Sequence, residues 1–234
     1  MSNARLTALV PDQIWHAQDW VRFGPISLRT RATIVRLSDR SLWVHSPVAP
    51  NAGLRDEIRE LGTVEYIVAP NKSHHLFFRS FAKCFPEAKG FIAPGLAEKR
   101  PDLQGFAVLG AGGTDWQPDL QAYFVRGLPV INETVWFHER TGTLITTDLL
   151  FNIGEDNPAL LRLAARGLGV YRQLAMSRTM KLLIKDKPAF RASVEPLLRL
   201  PIKRIIVAHD TIVEDDARAQ MSAAFAWLTG EAES

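Results

Sequence analysis

Four side chains of metal-ligand type stand just beyond three separate apolar runs: His74 and His75 after the run ending at Ala69, Asp148 after Thr147, and His209 after Ala208. Neutral imidazoles and a carboxylate are ordinary ligands for zinc, iron or manganese, so their convergence points to metal-assisted chemistry. In α/β architectures functional groups gather at strand ends, where exposed loops rest on rigid anchors. Glu133 and Asp210 are candidates for orienting such ligands, with His138 more remote. The same residues admit a metal-free reading. His74 would then cap a helix starting near Leu76, His75 would bond to backbone, and His209 would pair with Asp148 as a structural link between sheets.

Those positions require strands that end where the polar residues begin. Segments 13–17, 27–37, 41–45 and 65–69 are rich in Ile, Val, Leu, Trp and Thr, with Ser38, Asp39 and Arg40 as a hairpin turn. Leu54, Ile58 and Leu61 have helical spacing closed by Gly62. Leu76, Phe77, Phe78, Phe81 and Phe85 predict a buried helix that stops at Pro86. Short strands follow at 89–93 and 105–109, separated by a helical turn with Pro94 at its start. The glycine-rich 110–114 lacks the lysine and downstream helix of a phosphate-binding loop and reads as a plain loop. Strands at 121–127, 134–138 and 143–147, with a hairpin turn at 139–142, lead to Asp148. Residues 157–200 are mostly helical, broken near Gly167 and Gly169 and again at Pro188; a strand at 204–208 then delivers His209, and a helix at 214–228 closes the pattern.

The remaining candidates read as structural. His16 and His45 sit on apolar strand patterns, Cys84 lies in the apolar 81–85 stretch, and the six tryptophans are dispersed as core and rim residues. With 234 residues and 47% hydrophobic content, one globular domain over 1–234 is expected, carrying a helical insert at about 157–200. The single cysteine excludes an internal disulfide and a Cys-rich zinc module. A net charge of +3 with scattered basic residues argues against nucleic acid. Neither a secretory signal nor an apolar run of membrane-spanning length is present, so a cytoplasmic location is expected. A peripheral membrane protein is the alternative, with 162–187 as a partial basic, amphipathic candidate.

The chain resembles the metallo-β-lactamase superfamily, and more narrowly a domain-of-unknown-function family that looks like a divergent offshoot of it. The resemblance rests on the strand 42–47 (Leu-Trp-Val-His-Ser-Pro), the turn 67–75 ending in His74 and His75, the hairpin 135–151 containing Thr147 and Asp148, and the late Val207-Ala208-His209-Asp210. It implies a four-layer αββα sandwich with metals at one edge of two sheets. The superfamily motif His-x-His-x-Asp-His, laid so that its last two residues fall on His74 and His75, puts Pro70 and Lys72 at the earlier histidine positions. Residues 130–134, where a further histidine is usual, offer Asn132 and Glu133 instead. The resemblance therefore implies a dismantled first site and a retained second one of His74, His75, Asp148 and His209.

The expected activity is that of a metal-dependent hydrolase with a reduced, single-metal site, acting on an ester, thioester, amide or phosphoester. One divalent ion is expected, zinc first, with iron or manganese as alternatives. Asp148 would orient the nucleophilic water, Glu133 would support it, and the Lys72 ammonium would stand in for the missing cation and receive an anionic substrate group. The alternative is a metal-free, non-catalytic binding or scaffold protein that keeps the sandwich. Iron would favour a redox or oxygenase reading. The partner is a small-molecule substrate, and the leucine-rich 157–200 region is expected to cover the site or to make a homo-oligomer contact.

Overall fold

The computed structural model describes residues 2–110, 116 and 118–229; of the glycine-rich stretch at 110–114 only Gly110 lies within them. The chain forms two compact units, residues 1–21 with 29–119 and residues 22–28 with 120–234.

The first unit is organised by a seven-stranded sheet whose strands follow chain order: β1 (Leu6–Val10), β2 (Ile14–Phe23), β3 (Ile26–Arg36), β4 (Leu42–His45), β5 (Val64–Ala69), β6 (Lys89–Ile92) and β7 (Ala107–Val108). Pairs β1–β2 and β3–β4 are antiparallel, whereas β4 through β7 run parallel. Parallel neighbours need crossovers, supplied by α1 (Ala52–Leu61), α2 (Phe78–Ala82) and α3 (Leu96–Lys99). Asn51 caps α1 by accepting from the Leu54 amide, which starts the helix so that Leu54 and Ile58 share its buried stripe. Each such side chain contributes about 1.5–3 kcal/mol through burial. From Tyr66 to Ala69 strand β5 is buried and apolar on both faces, as a central parallel strand should be.

Two expectations change here. The sequence reading had no strand at 6–10, where β1 pairs with β2 and leaves Leu6, Leu9 and Val10 half-buried and Thr7 and Ala8 exposed. The helix expected from Leu76 to Phe85 shrinks to α2, and Leu76 is 54% exposed. The reason is local: the Asn71 side chain accepts from the Ser73 and His74 amides, both at 2.7 Å, holding the chain in a turn before the helix can begin. Phe78, Phe81 and Phe85 still enter the core.

The second unit contains a four-stranded sheet in the order β11 (Arg204–Ile206), β10 (Thr143–Ile145), β9 (Thr134–His138), β8 (Leu120–Phe124). Strands β8, β9 and β10 are antiparallel, and β10 and β11 are parallel. Its core joins Val135, Phe137, Leu144 and Ile205 to Phe190 and Val194 of α6 (Lys187–Leu198) and to Met221 and Phe225 of α7 (Ala217–Thr229). The acidic residues 214–216 precede α7 instead of opening it. In chain order, α4 (Ala159–Leu168) and α5 (Arg178–Leu182) come between β10 and α6, with an extended stretch between them bridging Phe151 to Ala175 and Ile153 to Tyr171. Gly127, at φ 75°, lets the chain pass against the Asp186 carbonyl, where a Cβ would collide. Among the described residues, no helix is long and apolar enough to cross a membrane.

Candidate functional site

In the second unit the sheet register itself brings two ligand-type residues together. Ile145 of β10 lies opposite Ile206 of β11, and Asp148 and His209 each follow three residues later. Both are buried, with His209 Nε2 3.3 Å from Asp148 Oδ1. The His209 ring stacks on Phe151, nearly parallel at 5° with centroids 5.3 Å apart, so its plane is held from one side.

Glu133 builds the turn that presents Asp148. It is fully buried just before β9, and its Oε1 accepts from the Thr146 hydroxyl at 2.9 Å and the Thr147 amide at 2.7 Å. Its Oε2 accepts from the amides of Asp148 at 2.8 Å and Leu149 at 3.0 Å. A carboxylate surrounded by four donors fixes the backbone on both sides of Asp148, because these charge-assisted bonds are roughly twice as strong as neutral ones. Its observed task is to position the turn.

Asp210 acts in the same manner on the other strand end. Its φ of 70° is costly for a residue with a Cβ. The strain is offset by Oδ2, which accepts from the Gly154 amide and the Asn157 side-chain amide, both at 2.6 Å. The carboxylate thus ties the segment after Phe151 to the residue following His209. His138 is directed elsewhere, its Nδ1 2.8 Å from Thr141 Oγ1.

The first unit holds the other candidates on the loop after β5. Asn71 is completely buried and shapes the turn, so that His74 turns its Nδ1 to Ser46 Oγ at 2.7 Å. Ser46 stands at the end of β4 with φ 51°, anchored by its amide on the Val68 carbonyl. His45 is buried beneath a stacked Trp43, and burial together with the neighbouring His74 holds its imidazole well below the usual pKa. It is structural, as the strand pattern implied. His75 is half-buried with Nδ1 2.9 Å from Arg100 Nη1, so the guanidinium donates to a neutral ring. Burial, Lys99 and Arg100 lower its pKa to about 4. Lys72 is half-buried in the same loop, and its carbonyl accepts from Lys99 Nζ at 2.6 Å.

The sequence reading missed Ser46, Asn71 and Phe151 as supporting residues. The Asn71-Lys72-Ser73 stretch carried a legible signal, because Asx turns recur where Asn precedes a short polar run. Ser46 and Phe151 had none, since their roles arise across strands.

Residues 11–97 match the sequence family described as a domain of unknown function, DUF4336. No curated protein matches the chain. Among solved structures, a metallo-β-lactamase from Pontibacter korlensis superposes with a TM-score of 0.62 at 11% identity, covering 97% of this chain and 99% of that one. A metallo-β-lactamase from Hirschia baltica gives 0.61 at 10% identity, over 94% and 97%. A metal-soaked Flv1 flavodiiron core from Synechocystis sp. PCC6803 gives 0.65 at 11% identity, over 97% of this chain and 61% of that one. Identity at this level speaks to fold alone, and the α/β, metallo-β-lactamase-like fold expected from the sequence is borne out. Residues 11–97 thus match the DUF4336 family model, and the fold of the chain is similar to that of metallo-β-lactamases.

Proposed function

We propose that the protein is a metal-dependent hydrolase that takes a single divalent ion at Asp148 and His209, two donors adjacent within the second unit, with His74 proposed as a further ligand. The observation that carries the reading is the 3.3 Å separation of His209 Nε2 and Asp148 Oδ1. Two donors bound tetrahedrally at about 2.0–2.1 Å from one ion stand roughly 3.3 Å apart. A direct charge-assisted hydrogen bond between such groups would close to about 2.7–2.9 Å. Two imidazoles and a carboxylate suit zinc first and also iron or manganese.

The neighbouring residues support that role. Ser46 on Nδ1 of His74 makes Nε2 the coordinating nitrogen and sets the ring's angle, as outer hydrogen bonds commonly do for metal-bound histidines. Glu133 fixes the Asp148 turn, and Phe151 covers one face of His209 against water. When bound, the ion supplies a Lewis acid and a water acidified to roughly pKa 7. Asp148 orients that water, and the Lys72 ammonium binds an anionic group of an ester, thioester, amide or phosphoester substrate. His75, whose Nδ1 is engaged by Arg100, is left out of the proposed set.

Elemental analysis of protein purified without chelator tests the proposal. One equivalent of a divalent ion, lost in His74→Ala and in His209→Ala, is expected, followed by activity in an esterase and phosphoesterase screen. A folded protein that takes up no ion from zinc, iron or manganese solutions overturns it in favour of a metal-free binding or scaffold role.

A further inference from the structure

The charge of this chain is unevenly placed. Residues 158–187 hold seven basic residues and one acidic residue, a surplus of six in a chain whose whole surplus is three. The same stretch carries three of its most exposed large apolar side chains, Leu160 at 47%, Leu163 at 66% and Leu182 at 84%. On α4 the core takes Leu161 and Ala165, so Leu160 and Leu163 occupy the opposite side of the helix, with Arg162 and Arg166 beside them. Arg178 of α5 donates to the Gly167 carbonyl at the end of α4, joining the two short helices. A cavity of about 360 Å³ next to that junction is lined by Arg178, Lys181, Gln173 and Gln220 with Leu174 and Met176.

Most of these cations have no carboxylate partner among the described residues. Arg162 and Arg178 donate to backbone carbonyls, while Arg166 and Lys181 lie over the rings of Tyr171 and Trp227. Of this group Arg172 has a carboxylate partner, Glu155 at 2.6 Å. Among the described residues, Arg162, Arg166, Arg178 and Lys181 have none. A nucleic-acid surface would use the cations and leave three protruding leucines without a role. Leucines that can enter the acyl boundary, surrounded by basic residues at headgroup level, match a bilayer of negative surface charge.

We propose that α4 and α5 form a docking surface for an anionic phospholipid bilayer, with Leu160, Leu163 and Leu182 inserted and the surrounding arginines and lysines on the headgroups. The test is co-sedimentation of the full chain with phosphatidylcholine vesicles with and without phosphatidylglycerol. Binding to the anionic vesicles alone is expected, weakened when salt rises from about 50 to about 500 mM as the Debye length shrinks. Leu163→Ser with Leu182→Ser is expected to lower the bound fraction at least about fivefold, since inserted apolar area sets binding strength, with circular dichroism and Tm unchanged. Arg166→Gln with Lys181→Gln provides an independent variant and is expected to weaken binding similarly. Failure to bind either vesicle overturns the proposal, as does equal binding to both. Leucine variants that bind as the parent while duplex DNA competes overturn it in favour of a polyanion surface. A self-association that the leucine changes abolish, without vesicle binding, overturns it in favour of a second copy of the chain.

Discussion

The turn after β10 and the loop after β5 each deliver candidate ligands, yet they are built to different tolerances. Around Asp148 a single buried carboxylate, Glu133, receives four hydrogen bonds from four consecutive residues. Around His74 one amide oxygen, Asn71, receives two, and the residues that follow are half-buried or exposed. A charged, desolvated acceptor makes its turn part of the core, whereas a neutral Asx turn leaves its loop free to adjust. The difference teaches that Asp148 and His209 are placed by the fold itself, while His74 is placed by a smaller local device.

The contrast is broken most severely at Glu133. Glu133→Ala removes the acceptor of three amides and a hydroxyl, each worth about 1–3 kcal/mol when left unsatisfied, so a loss of at least about 3 kcal/mol is expected in urea denaturation. Glu133→Gln, which keeps one acceptor oxygen, should lie between the parent and Ala. His209→Ala comes next and acts on binding: the stoichiometric ion of the proposed site should disappear from elemental analysis. Ser46→Ala sharpens the comparison from the other side. Loss of the partner on His74 Nδ1 should weaken metal affinity by about 10–100-fold in competition with a chromophoric chelator, with little change in Tm. Asn71→Ala should cost only about 1–3 kcal/mol, since two amides lose their acceptor in a partly solvated loop.

The smallest effect concerns pH. His75 and His16 are neutral in the folded protein, with pKa values lowered to about 4 from 6.5, in both cases first by burial. The unfolded chain binds the extra protons, so this contribution is complete above pH 6.5 and is lost as pH falls toward 4. Thermal melts between pH 7 and 4 should show the decline, and His75→Gln should flatten it slightly.

Much of this arrangement was legible beforehand, for reasons that differ by element. The last four residues of β5 are an unbroken apolar run followed by turn residues, so its end at Ala69 could be read directly. Helix α1 was legible from Leu54, Ile58, Leu61 and Gly62, because helical periodicity and a terminal glycine are local signals. Helix α2 was misread because five apolar residues within ten positions mimic a helical stripe, and nothing in that spacing shows that Asn71 claims the preceding amides. Glu133 was visible as a candidate, but as a supporter of chemistry; that its oxygens face three amides and a hydroxyl follows from the hairpin returning over it.

Residue type and order along the chain therefore settle which groups are available: three imidazoles and a carboxylate beyond strand ends, a lysine two residues before the first of those imidazoles, and a basic, leucine-bearing stretch late in the chain. Which of them meet is a matter of strand register, because Asp148 and His209 are 61 residues apart and approach only through the pairing of Ile145 with Ile206. Periodicity is a property of neighbours in sequence, and hydrogen-bond register belongs to neighbours in space.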